Sequence, residues 1–156
     1  MNPRKVVEGT VIGNEGREVL LNILLNSCIQ CNQVQKAIEI VEFLLKDRES
    51  HFFHVDEVSI NTLIKGCAQE RMVGKAEQLY SRMQDVGLRP TYVTYNSLID
   101  VFVRCNQMHD AWRYFGLMRS SGLKPDNFTC STLIKGIKPS ARQLSKGFPT
   151  NTGYHR

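Results

Sequence analysis

A chain of 156 residues with 42% hydrophobic and 22% charged residues has the composition of a folded protein, and its length suits one ordinary domain or a short array of repeats. No apolar stretch approaches the ~18–20 residues of a membrane-spanning helix, and five scattered cysteines (Cys28, Cys31, Cys67, Cys105, Cys130) read as reduced thiols, not as a disulfide framework. Five of the 20 Lys and Arg residues (Lys135, Lys138, Arg142, Lys146, Arg156) follow Ile134 with no acidic residue among them, which leaves 15 to balance the 15 Asp and Glu of the preceding chain. The net charge of +5 therefore belongs to the tail.

Residues 1–17 carry Arg4, Lys5 and Arg17 beside Glu8 and Glu15. They lack the apolar core of a secretory signal, show no recognisable transit peptide, and are expected to be a weakly ordered N-terminal segment. Periodicity begins after them. Val19-Leu-Leu-Asn-Ile-Leu-Leu25 opens a first unit, and Val58-Ser-Ile-Asn-Thr-Leu-Ile64 opens a second 39 residues later. Val93-Thr-Tyr-Asn-Ser-Leu-Ile99 and Phe128-Thr-Cys-Ser-Thr-Leu-Ile134 follow at intervals of 35. Closing segments also recur, as Met83-Gln-Asp-Val-Gly-Leu-Arg-Pro90 and Met118-Arg-Ser-Ser-Gly-Leu-Lys-Pro125. The four additional residues of the first unit fall within Asp47–Val55, where His51, Phe52, Phe53 and His54 suggest a partly covered loop.

Inside each unit the apolar period is helical. Tyr95, Leu98, Ile99 and Phe102 stand at i, i+3, i+4 and i+7, and Met108, Ala111, Trp112 and Phe115 repeat that spacing after a polar break at Arg104-Cys-Asn-Gln107. Gly87 and Gly122 close the second helices, with Pro90 and Pro125 beyond them, as helix ends favour. Each unit is thus an antiparallel helix pair, and pairs must stack to bury two stripes. The alanines Ala37, Ala76 and Ala111 mark close helix approach. Tyr80, Trp112 and Phe115 are assigned to the inter-helix core, as are the small residues Cys28 and Cys67. Pro139 stops the fourth opening helix, and Ser140–Arg156 reads as a flexible basic tail. The expected organisation is all-α, a right-handed solenoid of helical hairpins. An array over 18–137 divides into 18–56, 57–91, 92–126 and a partial 127–137, with an N-terminal segment at 1–17 and a tail at 138–156.

The period of 35, an opening Val-Thr-Tyr-Asn-x-Leu-Ile and a closing Met-x-x-x-Gly-Leu-Lys-Pro-Asp together resemble the pentatricopeptide repeat family, P-type, over about Glu18–Ile137. The tetratricopeptide alternative repeats at ~34 residues with a Trp…Leu-Gly…Tyr opening, which is missing here. The first unit departs from the pattern, with Leu20-Leu21 in place of Thr-Tyr. The resemblance implies single-stranded RNA recognition, one base per repeat, in the inner groove of the superhelix. It assigns base reading to Asn22 with Asp56, Asn61 with Thr91, and Asn96 with Asp126. Ser131 takes the first place in the fourth unit. The two Asn/Asp pairs look like uracil readers and Asn/Thr like a pyrimidine reader. Val19, Val58, Val93 and Phe128 are similar to residues that clamp bases between repeats. Work on organelle transcripts, in processing, stability, editing or translation in mitochondria or chloroplasts, is the family expectation.

Simpler roles compete with these assignments. Asp and Thr just ahead of a helix are favoured N-caps, worth ~1 kcal/mol, so capping alone accounts for Asp56, Thr91 and Asp126. Asn61 and Asn96, inside an apolar opening, would also suit a buried amide tying adjacent repeats. A near-neutral repeat body equally suits a protein-binding adaptor. An enzyme is not expected. His51, His54, His109 and His155 have no metal-ligand spacing to Cys or carboxylates, the Cys28-x-x-Cys31 pair has no second pair, and no phosphate loop or nucleophile elbow occurs. The chain is read as needing no cofactor, metal, membrane or small-molecule substrate.

Overall fold

The computed structural model describes residues 14–46 and 53–137. Among the described residues there are seven helices and no strand: α1 (Asn14–Gln30), α2 (Val34–Lys46), α3 (Glu57–Glu70), α4 (Val73–Asp85), α5 (Tyr92–Arg104), α6 (Met108–Ser120) and α7 (Asn127–Gly136). They form three helical hairpins and a lone opening helix. The described part of α1 begins at Asn14, about one turn ahead of Glu18. The insertion residues Asp47–Phe52, with His51 in them, and the tail from Lys138 lie outside the described residues.

The turn inside each hairpin is the same device three times. Asn32, Arg71 and Asn106 have φ of 56°, 57° and 58°, so each opening helix ends on a left-handed residue. The next amide then reaches back across the turn: Gln33 N–H donates to Cys28 O (2.8 Å), Met72 to Cys67 O (2.9 Å) and Gln107 to Phe102 O (2.9 Å). The turn between hairpins uses glycine instead. Gly87 (φ 81°) and Gly122 (φ 78°) end α4 and α6, with Leu88 N–H bonded to Met83 O and Leu123 N–H to Met118 O. These are the six-to-one closures of the Schellman motif.

Packing is layered. Each opening helix contacts the next, α1 to α3 to α5 to α7. The closing helices α2, α4 and α6 have no such backbone proximity to one another, and Arg113 on α6 reaches Glu77 on α4 only through its long side chain, at 2.9 Å. The opening layer therefore follows the shorter arc, and the array curves with that layer on its inner side.

The two middle opening helices contribute the same stripe to the core: Ile60, Leu63, Ile64 and Cys67 on α3, and Tyr95, Leu98, Ile99 and Phe102 on α5, all buried. Ala37, Ala76 and Ala111 have no exposed surface. Gly66 on α3 lies where an added Cβ would stand 3.0 Å from Ile29 and 3.2 Å from Val34, so the second hairpin seats closely on the first.

Two core assignments are corrected. Trp112 is 47% exposed, and its place on the inward stripe of α6 is taken by Tyr114, with Ala111 and Met118. Trp112 packs edge-on against the partly buried Phe115 at 5.4 Å on the outer side. The spacing i, i+3, i+7 aims Ala111, Tyr114 and Met118 at α5, where the Tyr114 ring stacks on Phe102 at 5.0 Å. Tyr80 joins that cluster, 5.5 Å from Tyr114 and 6.0 Å from Tyr95, and burial raises the pKa of both Tyr80 and Tyr114. Cys28 is half-buried and not fully in the core, whereas Cys67 is buried, and that burial pushes its thiol up to about 11.

Of the three left-handed positions only Arg71 lacks a side chain suited to that backbone, because Asn tolerates it far better than Arg. Arg71→Asn should raise the unfolding free energy by up to about 1 kcal/mol, read as a higher urea midpoint at unchanged slope. A lower midpoint would show that Arg71 holds the turn by contacts that outweigh backbone strain.

Candidate functional site

Three polar clusters sit at equivalent places along the inner layer, each at a junction between repeats. Each is built on the first turn of an opening helix. Asp56, Thr91 and Asp126 are the N-caps of α3, α5 and α7, all with extended backbone. Asp56 Oδ1 accepts from Ser59 N–H at 2.7 Å, and Asp126 Oδ1 from Thr129 N–H at 2.8 Å. Thr91 N–H donates to Thr94 Oγ1 at 3.0 Å, and Asp126 N–H to Thr129 Oγ1 at 3.3 Å. Asp56 and Asp126 therefore cap with their side chains as expected, satisfying amides that a helix start leaves without internal partners, while at Thr91 the bond formed is the reciprocal one, from its backbone N–H to Thr94.

Each cap cluster also holds an asparagine from the preceding repeat. The hydroxyl of Ser59 lies 2.9 Å from Asn22 Oδ1 and 2.7 Å from Asp56 Oδ1. Thr94 Oγ1 donates to Asn61 Oδ1 at 2.7 Å. Thr129 Oγ1 lies 2.6 Å from Asn96 Oδ1 and 2.8 Å from Asp126 Oδ1. In the last cluster Asn96 Nδ2 additionally faces Asp126 Oδ1 at 3.5 Å. The three asparagine–cap pairs singled out in the sequence are thus brought together, through a hydroxyl that belongs to the next repeat. Tying adjacent repeats and facing the groove are not alternatives for these amides, since each carries an oxygen and a nitrogen that can serve different partners.

The clusters differ in depth. Ser59, Thr94 and Thr129 have no exposed surface and Asn96 is buried, while Asn22 and Asn61 are half-buried. Asp126 is exposed. The backbone and hydroxyl of Thr129, and then the Asn96 amide, hold its carboxyl below the ordinary carboxylate range. Ser131 is exposed on α7.

One residue before each cap-bonded hydroxyl, and in the matching place on α1, an apolar side chain faces outward. Val19 is 56% exposed, Val58 55%, Val93 40% and Phe128 57%. Four large apolar residues on one register, all left in water, form a row beside the polar clusters. Further along the same layer Lys65, Asp100 and Lys135 stand at equivalent positions, and Asp100 is paired with Arg104 at 2.7 Å. This face is close to neutral. Among the described residues no group of three or more His, Cys, Asp or Glu side chains is placed to hold a metal ion, and no helix is long and apolar enough to cross a membrane.

The bridging hydroxyls were not singled out from sequence. Their signal was visible, however: a Ser or Thr recurs at 59, 94 and 129, three residues after each cap, while the first unit has Leu20. What hid them is that a hydroxyl three residues after a cap has a sufficient local explanation in capping. The cross-repeat bond appears only once the hairpins are stacked.

A curved stack of two-helix units with a repeating polar junction on its inner layer defines an α-helical solenoid protein. The chain belongs to the PPR repeat family: the model of that family matches residues 55–101 and 90–138, and the single PPR repeat matches residues 19–48. A chloroplastic pentatricopeptide repeat-containing protein of Arabidopsis thaliana is 39% identical over 84 residues, which is 51% of this chain and 10% of that protein. A mitochondrial one from the same organism is 28% identical over 114 residues, 73% of this chain and 16% of that protein. Among solved structures, maize PPR10 in complex with an 18-nt psaJ RNA element superposes with a TM-score of 0.69 at 27% identity, covering 76% of this chain and 17% of PPR10. The chain therefore spans well under a quarter of the length of each of these proteins.

Because hydrogen bonds favour the ionised Asp126 in the folded state, its folded pKa lies below its unfolded one. The linked stability is present above the unfolded value, near 3.9, and is lost as pH falls through the folded value. Carboxyl-carbon NMR titration should show Asp126 still ionised where free aspartate is half-protonated, and Thr129→Val should move its midpoint back up. An unshifted midpoint in the unaltered protein would mean that the cap bonds do not persist in solution.

Proposed function

We propose that this chain binds single-stranded RNA along its inner layer, one base at each repeat junction, with a preference for pyrimidines and for uracil at the two Asn/Asp junctions. The observation that carries the reading is the recurrence of an amide and a cap side chain beside an exposed apolar residue at successive junctions. The RNA-bound state of PPR10, to which the array is similar, gives independent support.

The chemistry of the pairs favours the assignment. At the third junction Asn96 Oδ1 is taken by Thr129, and one Nδ2 proton is directed at Asp126. The remaining amide proton is a donor for the groove, and the second oxygen of the exposed carboxylate is an acceptor. A donor beside an acceptor complements the carbonyl and N3–H of uracil. Cytosine has a lone pair at N3 and would meet the carboxylate with like polarity. At the second junction Thr91 replaces the carboxylate with a hydroxyl, which can donate or accept, so that site accommodates either pyrimidine. Asn22 with Asp56 repeats the uracil logic. Val19, Val58, Val93 and Phe128 supply apolar surface on which bases can stack, and Ser131 occupies the reading place of the fourth unit.

Magnitude sets the affinity. Base stacking is worth about 1–3 kcal/mol per base, and the ordering entropy cancels a large share of what three or four bases supply, so micromolar or weaker binding follows for this chain alone. The chloroplastic and mitochondrial relatives support work on organelle transcripts. The near-neutral inner face favours one competing reading, a protein-binding adaptor.

Asp126→Asn separates capping from reading, since Asn caps as well as Asp. Its melting temperature should stay close to that of the unaltered chain while the preference for oligouridylate over oligocytidylate narrows. Unaltered preference would remove Asp126 from the reading pair. Binding should also weaken steeply with added salt through counterion release, and a salt-indifferent complex would favour the adaptor.

A further inference from the structure

An asparagine amide is a two-fold rotor whose ends are nearly equal in size and opposite in hydrogen-bonding sense. A site that reads a base with one end must stop the other from taking its place. Nothing in the opening helix that carries Asn22, Asn61 or Asn96 does so. In each case the partner of the amide oxygen comes from the following repeat, 33 or 37 residues away in the chain.

We propose that Ser59, Thr94 and Thr129 are positioning residues for base reading, and that each fixes which end of the preceding repeat's asparagine faces the groove. The inference rests on the RNA-binding reading above. The second junction shows the device with least ambiguity. Thr94 Oγ1 accepts the Thr91 N–H at 3.0 Å, so its own proton is free for Asn61 Oδ1 at 2.7 Å. The amide oxygen is then held inward, and both Nδ2 protons are left for the half-buried, groove-facing side. At the third junction the Asp126 carboxylate adds a second restraint by attracting Nδ2. All three hydroxyls are fully buried, out of reach of any base, so they act on reading through the amide and the cap residue that they touch.

The consequence is that reading does not reside in one repeat. The residues meeting the base belong to one unit, while the orientation of the amide is set by the first turn of the next. A junction whose following unit lacks a hydroxyl three residues after the cap would read with a loosened amide even with an unchanged asparagine–cap pair.

The test compares Thr94→Val, which keeps the shape and removes the hydroxyl, with Thr94→Ser, which restores it, and with Asn61→Ala. Each full chain is titrated with fluorescent oligouridylate, oligocytidylate and oligoadenylate, and its melting temperature is recorded separately. Thr94→Val should reduce the discrimination between pyrimidine and purine strands about fivefold, in the range of one neutral hydrogen bond, and Thr94→Ser should recover most of it. A Thr94→Val chain that melts lower but discriminates as before would assign Thr94 to capping alone and overturn the proposal. If Asn61→Ala loses discrimination while Thr94→Val does not, positioning falls and reading stands. If Asn61→Ala is without effect, the reading at this junction falls first. Should Thr94→Val fail to fold, Thr94→Ala, which also removes the hydroxyl, carries the same comparison at Asn61 with the same outcomes.

Discussion

A pair of antiparallel helices has two apolar stripes facing each other and further apolar surface on the flanks, and a unit of this length can cover only the first by itself. The rest must be buried against the next unit. That constraint organises the molecule. It explains why Ile60, Leu63 and Ile64, and then Tyr95, Leu98 and Ile99, lose all or nearly all their exposed surface between neighbours. It also explains why Gly66 leaves little room for a side chain where α3 meets Ile29 and Val34. The aromatic cluster of Tyr80, Tyr95, Phe102 and Tyr114 crosses from the second hairpin to the third, so the boundary between repeats is a packed interior.

Stacking has a second effect, on polar groups. Because the opening helices pack directly against each other, the first turn of one lies beside the first turns of its neighbours. A cap side chain and a hydroxyl from one first turn therefore meet an amide from the preceding opening helix at each junction. Burial raises the penalty for any unpaired member, and the bonds of 2.6–2.9 Å from Ser59, Thr94 and Thr129 to the three asparagines meet that demand. On the proposed reading, the groups that finish the helix start internally are also the groups that meet the base. Capping and recognition are therefore coupled, and a substitution that disturbs one is read in the other unless it preserves cap geometry.

The helix boundaries, the hairpin pairing and the core of the opening helices were legible in the sequence because each depends on a local period or a local stop signal. Gly87 and Gly122 needed positive φ and the chain put glycine there. The turn inside each hairpin was less visible, since Arg71 does the work that Asn32 and Asn106 do and carries no turn signature of its own. Trp112 misled for a related reason. The period on α6 admits two stripes offset by a few residues, and hydrophobicity favours the one through Trp112 over the one through Tyr114. The choice is made by Phe102 on α5, a contact with no local trace. The asparagine–cap pairs could be named from the repeat pattern, but the bond that joins them runs through a third residue in another repeat.

Charge separates from recognition in this chain. Four of the five positive charges in excess lie beyond Ile137, while the inner layer alternates Lys65, Asp100 and Lys135, with Asp100 already engaged by Arg104. On the proposed reading, phosphate attraction and base selection then come from different regions. A basic tail would add affinity without regard to sequence, since counterion release is blind to the base. The junctions themselves would add little affinity but most of the discrimination, because a donor and an acceptor in fixed positions favour one Watson–Crick edge over another. Selectivity in such an array grows with the number of junctions that hold their amides in register. Its limit at each junction is the rigidity of the amide, which the buried hydroxyl of the following repeat supplies.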